Sequence, residues 1–335
     1  MKYWPFALGG AGLVLVLLLV FGLMWGQRAL APADPAGESV LFEVSPGESL
    51  GSIALRLERE GVVRNARAVV WLARWQELAG SLQTGEFRLS PADTPDQILA
   101  RISEGRVETY EVSLPEGFTL GQIAERLDAA GLVDAAEFTR VARDPETAAR
   151  LGVEGDTLEG YLFPETYRLP KGMTAEEVAE VLVEQLLVIW REIEPKAKAI
   201  DFSMKETVTL ASIIEKETGA AKERPIIASV FHNRLRRGMR LETDPTVIYG
   251  IPDFDGNLKR RHLEDETNSY NTYRIFGLPP GPIASPGADA LRAVVDPAET
   301  DYLYFVSKND GTHVFSSRYT DHEDAVDRYQ RRRSR

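Results

Sequence analysis

Residues 44–63 read VSPGESLGSIALRLEREGVV, and residues 114–133 read LPEGFTLGQIAERLDAAGLV. Offset by 70 positions, Gly47, Leu50, Gly51, Ile53, Ala54, Arg56, Leu57, Gly61 and Val63 fall on Gly117, Leu120, Gly121, Ile123, Ala124, Arg126, Leu127, Gly131 and Val133, and Ser49 falls on Thr119. In each copy an extended stretch meets a glycine turn, and Ser or Thr stands where a helix N-cap belongs. Apolar residues then recur at helical spacing (Leu50, Ile53, Ala54, Leu57) until a glycine stops the helix. The first copy continues into a second helix over about Ala66–Ala79 and a strand at Gly85–Leu89, a β-α-α-β order. A helix over about Pro95–Gly105, with Thr94 as N-cap and Pro95 in its first turn, and a strand at Val107–Leu114 join the two copies.

The second copy runs on into a helix over about Ala135–Arg143. From about Thr157, loops rich in Tyr, Asn, Pro and Gly alternate with helices over about Ala175–Glu192 and Lys205–Glu217. Strand candidates follow at Tyr302–Ser307 and Val314–Ser316. The fold class is therefore α+β. The first β-α-α-β unit, residues 40–110, resembles the LysM fold, which implies a small module lying along the N-acetyl sugars of a glycan.

Composition narrows the function classes. The 335 residues carry 39 Lys plus Arg against 51 Asp plus Glu, a formal charge of −12, which argues against nucleic acid as a partner. Cysteine is absent, which removes disulfides, thiolate metal sites and cysteine nucleophiles. His232, His262, His313 and His322 lack any metal-ligand spacing, so no metal and no cofactor is expected.

From Tyr3 to Gly26 no residue is charged. As a helix this run would be about 36 Å long, enough to cross a ~30 Å hydrocarbon layer, and it exceeds the apolar region of a cleavable signal peptide. Residues 1–28 read as a cytoplasmic tip and single transmembrane anchor, with Trp4 and Trp25 near its ends and the bulk of the chain outside the cytoplasmic (inner) membrane. Residues 29–39 read as a short flexible spacer.

The segment LASIIEKETG (210–219) places carboxylates in an apolar helix. On a helical wheel Lys205, Thr209, Ser212 and Lys216 form a polar stripe, whereas Glu215 and Glu217 lie on opposite flanks of the apolar arc. A carboxyl group desolvated in this way has a raised pKa, as a general acid requires; the bland alternative is a helix-end ion pair. Two residues apart on a helix point about 200° apart, so the two glutamates cannot share one cleft. A two-carboxylate glycosidase would have to draw its second member from a loop, with Asp244, Glu165 and Asp156 as candidates. Three loops supply candidate binding groups: LEGYLFPETY (158–167) with Tyr161, Phe163 and Glu165, MRLETDPTVIYG (239–250) with Asp244, and SYNTYRIFGLPPGPIASPG (269–287) with Asn271 and Tyr273.

LEGYLFPETY, LASIIEKET, ASVFHNRLRRGMRLETDPTVIYG and YNTYRIFGLPPGPIASPG are similar, in order and spacing, to the YceG-like endolytic murein transglycosylase family. The resemblance implies a catalytic α+β domain over residues 111–335. It also implies cleavage of the β-1,4 bond between N-acetylmuramic acid and N-acetylglucosamine in nascent peptidoglycan, leaving a 1,6-anhydro end. It assigns catalysis to the first Glu of the E-K-E motif, Glu215. Asn271, Tyr273 and Glu165 are the candidates for easing the developing oxocarbenium charge, and Glu217, on the opposite side of the helix, holds the helix end or an adjacent loop. The implied partners are peptidoglycan strands and the peptidoglycan synthases (penicillin-binding proteins). A water-using muramidase and a non-catalytic glycan-binding scaffold are the alternatives.

Overall fold

The computed structural model describes residues 4–331, and of residues 4–15 and 19 the backbone alone. The chain forms two compact units, residues 4–110 with 170–172, and residues 111–169 with 173 onward.

The first unit contains α1 (Trp4–Ala29), β1 (Val40–Val44), α2 (Leu50–Arg59), α3 (Ala66–Trp75), β2 (Gly85–Leu89) and α4 (Pro95–Ser103). β1 and β2 pair antiparallel, from Val40 opposite Leu89 to Val44 opposite Gly85. Strand alternation turns Phe42, Val44, Phe87 and Leu89 inward, where they meet Ile53 and Leu57 of α2, Val69 and Leu72 of α3, and Ile98, Leu99 and Ile102 of α4. The expected caps are in place: Ser49 accepts from the Ser52 amide, and Thr94 with Gln97 forms a reciprocal capping box. The β-α-α-β order of residues 40–89 is thus present.

Residues 29–39 do not behave as the flexible spacer expected of them. Leu30 packs on the core of this unit, the Asp34 amide donates to the Pro91 carbonyl at 3.0 Å, and Arg64 Nε donates to the Pro32 carbonyl at 2.6 Å. The Pro and Gly residues that suggested slack instead let the backbone lie close: a Cβ on Gly37 would stand 2.9 Å from Pro91. α1 is a continuous helix of 26 residues. Among the described residues no helix is long and apolar enough to cross a membrane. Tyr3, where the uncharged run begins, lies outside the described residues.

The second unit takes in most of β3 (Tyr110–Ser113), then α5 (Leu120–Ala129), α6 (Ala135–Ala142), α7 (Pro145–Arg150), β4 (Thr166–Leu169), α8 (Ala175–Ala199), α9 (Met204–Glu217), α10 (Arg224–Arg236), α11 (Asp244–Tyr249), α12 (Arg260–Leu263), α13 (Ala288–Val295), β5 (Tyr304–Ser307), β6 (His313–Ser316) and α14 (Tyr319–Val326). The second sequence repeat opens it with the same chemistry: Thr119 caps α5, and Gly131 takes the left-handed backbone at its end (φ 66°), as Gly61 does after α2 (φ 73°). Here β3 pairs with β4, so the second copy is also closed by a strand. β5 and β6 form an antiparallel hairpin, Tyr304 opposite Ser316 through Ser307 opposite His313.

α9 is the axis of this unit, packed by α8, α10, α11 and α13. Asn233 and Arg234, on α10, donate to the carbonyls of Thr300, Tyr302 and Leu303, and Arg234 also takes those of Arg240 and Leu241, so the HNR of the long motif is a loop fastener. Gly160 shows how close the backbones run: its φ is 84°, and a Cβ there would lie 2.3 Å from Cβ of Pro282. Gly160→Ala is expected to cost at least about 2 kcal/mol, because it meets both a left-handed backbone and a backbone-borne ring that cannot yield. Urea unfolding measures this; a loss below about 0.5 kcal/mol would refute the packing described.

Candidate active site

Ser203 and Glu206 form a capping box that starts α9, and from Thr207 to Ile214 every residue is buried. The middle of the polar stripe, Thr209 and Ser212, therefore faces protein, while Lys216 stays exposed: Ser212 Oγ donates to the Thr209 carbonyl (2.7 Å) and accepts from the Ile283 amide (3.0 Å), tying in the Pro-Gly loop. The helix ends because Thr218 turns extended (φ −91°, ψ 114°) and its hydroxyl donates back to the Ile214 carbonyl. Gly219 follows where a Cβ would lie 2.7 Å from the Gly311 carbonyl of the β5–β6 turn. Glu217 is thus the last helical residue.

The two glutamates face opposite ways, as the wheel requires, and into different chemistry. Glu215, its side chain 7% exposed, accepts from Arg224 Nη2 (2.8 Å) with one oxygen and from the Gly287 amide (3.1 Å) with the other. Arg224 also meets Glu116 (3.0 Å) and Asp289 (3.7 Å). Burial, and then the charge of Glu215, push the Glu116 carboxyl upward. Glu215 is therefore the helix-end ion pair of the bland reading, with both oxygens committed.

Glu217 keeps some exposure and accepts a hydrogen bond from the Thr243 hydroxyl. Burial pushes its carboxyl upward, the Thr243 hydrogen bond opposes this, and the neighbouring Asp244 charge adds to the rise, with His313 pulling the other way. Its place at the negative end of the α9 dipole acts in the same upward direction. Asp244, exposed at the first position of α11, accepts from the Tyr273 hydroxyl at 2.8 Å. Burial and that carboxylate raise the Tyr273 pKa, so the phenol stays a donor. His313, on β6, is held through Nδ1 by Glu223 at 2.8 Å.

Of the residues singled out in the sequence, the structure brings Asp244 and Tyr273 to Glu217 and not to Glu215. Asn271 is fully buried; its Nδ2 donates to the carbonyls of His262, Leu263 and Asp265 and its Oδ1 accepts from the Tyr273 amide, so it shapes the loop and offers nothing to a ligand. Tyr161 (0% exposed) and Phe163 (5%) are core residues, the former donating to the Glu154 carbonyl. Neither presents a ring face for a sugar, because this motif folds inward and leads into β4. Glu165 is exposed, accepts from the Thr166 amide (2.9 Å) and makes no hydrogen bond to the Glu217 cluster; Asp156 is exposed too. Among the described residues no group of three His, Asp or Glu converges as a metal site.

Glu159 escaped the sequence reading. It is 8% exposed, accepts from the Leu120 amide (3.0 Å) and the Tyr249 hydroxyl (3.1 Å), and is pushed by burial up to about 7. A carboxylate set between Leu158 and Gly160, at the head of a motif whose aromatics turn inward, was the available signal.

Residues 42–328 match the YceG-like family. The chain is 30% identical to the endolytic murein transglycosylase of Bacillus subtilis (strain 168), covering 93% of this chain and 91% of that protein. It is 27% identical to the endolytic murein transglycosylase of Streptococcus pneumoniae serotype 2 (strain D39 / NCTC 7466), covering 90% of this chain and 61% of that longer protein. A crystal structure of a putative yceG-like protein, lmo1499 from Listeria monocytogenes, matches with a TM-score of 0.59 at 32% identity, over 87% of this chain and 100% of that one. With a family match along most of its length and a relative similar from end to end, the chain belongs to the YceG-like family.

Proposed function

We propose that the chain is an endolytic murein transglycosylase in which Glu217, rather than Glu215, is the acid and then the base. The observation that carries this is a carboxyl pushed upward by burial at the C-terminal end of α9, with an Asp244–Tyr273 pair beside it. Glu217 in its protonated form gives its proton to the glycosidic oxygen as the bond to C1 of N-acetylmuramic acid breaks. Asp244, oriented by Tyr273, stabilises the positive charge developing on the sugar ring. The Glu217 carboxylate then takes the proton of the C6 hydroxyl, whose oxygen closes on C1 to give the 1,6-anhydro end. No water is consumed, and the tethered hydroxyl acts at high effective concentration. No enzymic nucleophile is needed, so the 200° separation of Glu215 from Glu217 is no obstacle.

Asp244 beside Glu217 also favours a second reading, hydrolysis, since a second carboxylate is what a muramidase requires. Product mass separates the two: hydrolysis adds one water that the anhydro end lacks. The cellular setting is part of the same proposal. The uncharged run within α1 supports a single anchor in the cytoplasmic membrane with the catalytic unit outside. The β-α-α-β order of the first unit supports a LysM-like grip on glycan. Cleavage next to the peptidoglycan synthases would end strand elongation.

Glu217→Gln removes the titratable proton and keeps the shape, so release of anhydro-muropeptides from purified sacculi is expected to fall about 10²–10⁴-fold or more with the melt preserved. Glu215→Gln is expected to keep turnover in its folded fraction and to melt lower, because Arg224 loses a buried partner. A folded, inactive Glu215→Gln beside an active Glu217→Gln would reverse the assignment.

Thr243→Val removes the hydrogen bond that holds the Glu217 carboxyl down, so its pKa rises further. The basic limb of kcat/KM, where the acid is lost, is expected to move to higher pH. A limb that stays put or moves down would show that Glu217 is not the titrating acid.

A further inference from the structure

Glu159 ties its own loop to two helices of the second unit, α5 and α11. Its Oε1 accepts from the first amide of α5, and its Oε2 accepts from the hydroxyl of Tyr249, the last residue of α11. α11 is six residues long and begins with Asp244, so whatever fixes Tyr249 fixes the orientation of that carboxylate. The Tyr249 ring also lies 4.8 Å from the Tyr270 ring. Tyr270 opens the turn that leads through Asn271 to Tyr273, and Asn268 straps this turn to α11 by donating to the Val247 carbonyl at 3.0 Å. Both members of the Asp244–Tyr273 pair therefore depend on one buried carboxylate.

We propose that Glu159 is a positioning residue: by accepting from Leu120 and Tyr249 at once, it holds α11 and the 268–273 turn so that Asp244 and Tyr273 stand beside Glu217. This rests on the reading of Glu217 as the catalytic acid. An ionised carboxylate has an acceptor for each of these two donors, whereas a protonated one turns an acceptor into a donor. The groups that face it are Tyr249, Tyr270 and, more remotely, the cation of Arg143. Burial outweighs them and places its titration near neutrality, at about 7. The clamp is matched above that pH and loosens below it.

The test uses the full chain, with anhydro-muropeptide release from purified sacculi followed from pH 5 to 9 beside thermal melts. Glu159→Gln is expected to lower kcat about 10–100-fold above pH 7, the order of a small misplacement of catalytic groups. It is also expected to abolish the acidic limb near 7 while leaving the Glu217 limb in place. Stability supplies an independent readout. A carboxyl raised in the folded state stabilises it below about pH 4.5 and loses that contribution as pH rises through about 7, so wild type should lose stability relative to Glu159→Gln over that window. Tyr249→Phe keeps the ring and removes only the donor. It should act in the same direction and fail to add to Glu159→Gln, and it carries the test if the latter does not fold. A folded Glu159→Gln with wild-type rate and pH profile, or effects of the two substitutions that simply add, would overturn the proposal. If Glu217→Gln also kept its rate, the reading of the site would be at fault; if Glu217→Gln were inactive and Glu159→Gln unchanged, only the clamp would be.

Discussion

A carboxylate taken out of water must be paired with donors or cations, or else hold its proton. That constraint sorts the acidic residues around α9. The helix is buried on every side through its middle, so carboxylates can occur only where it ends, and each of the two there meets the constraint differently. Glu215 is satisfied by a guanidinium and a backbone amide. Glu217 has one hydroxyl donor, the opposing pull of His313 and an anionic neighbour, and burial pushes its carboxyl upward. Glu159, with two neutral donors, sits between these extremes. One element thus carries, two residues apart, a carboxylate paired with a guanidinium and one pushed upward by burial, kept from each other by the helical repeat.

The motifs divide along the same line. Much of what looks like binding chemistry in the long motif loops is scaffolding: Asn271 feeds three carbonyls, Asn233 and Arg234 fasten the 300–303 strand approach, and Tyr161 and Phe163 fill the core. The groups gathered around Glu217 are few and stand at the ends of elements: Glu217 at the end of α9, Asp244 at the start of the short α11, Tyr273 just beyond a turn. Short elements place such groups only if their far ends are held, which is the work of Ser212, Asn268 and Glu159 in this unit.

Local rules made much of the fold legible. The repeat with its Ser49 and Thr119 caps, the glycines that stop α2 and α5, and the capping box at Thr94 all depend on residues within four positions of one another. The site was less legible because its deciding contacts are remote in sequence. The wheel put Glu215 and Glu217 equally in the apolar arc; Arg224 and Gly287 on one side, and Thr243 on the other, broke the tie from up to 72 residues away. The inward turn of LEGYLFPETY was missed for a related reason. Its aromatics fit either a sugar platform or a core, and only the pairing of β4 with β3 decides for the core.

The fastening of residues 29–39 changes what the first unit is mechanically. Eleven free residues would act as a leash with a root-mean-square reach of about 18 Å, blurring the distance between the unit and the end of α1. With Leu30, Pro32 and Asp34 fixed to the unit, that slack is gone, and the segment serves as a strut. Force applied to the unit passes straight into α1.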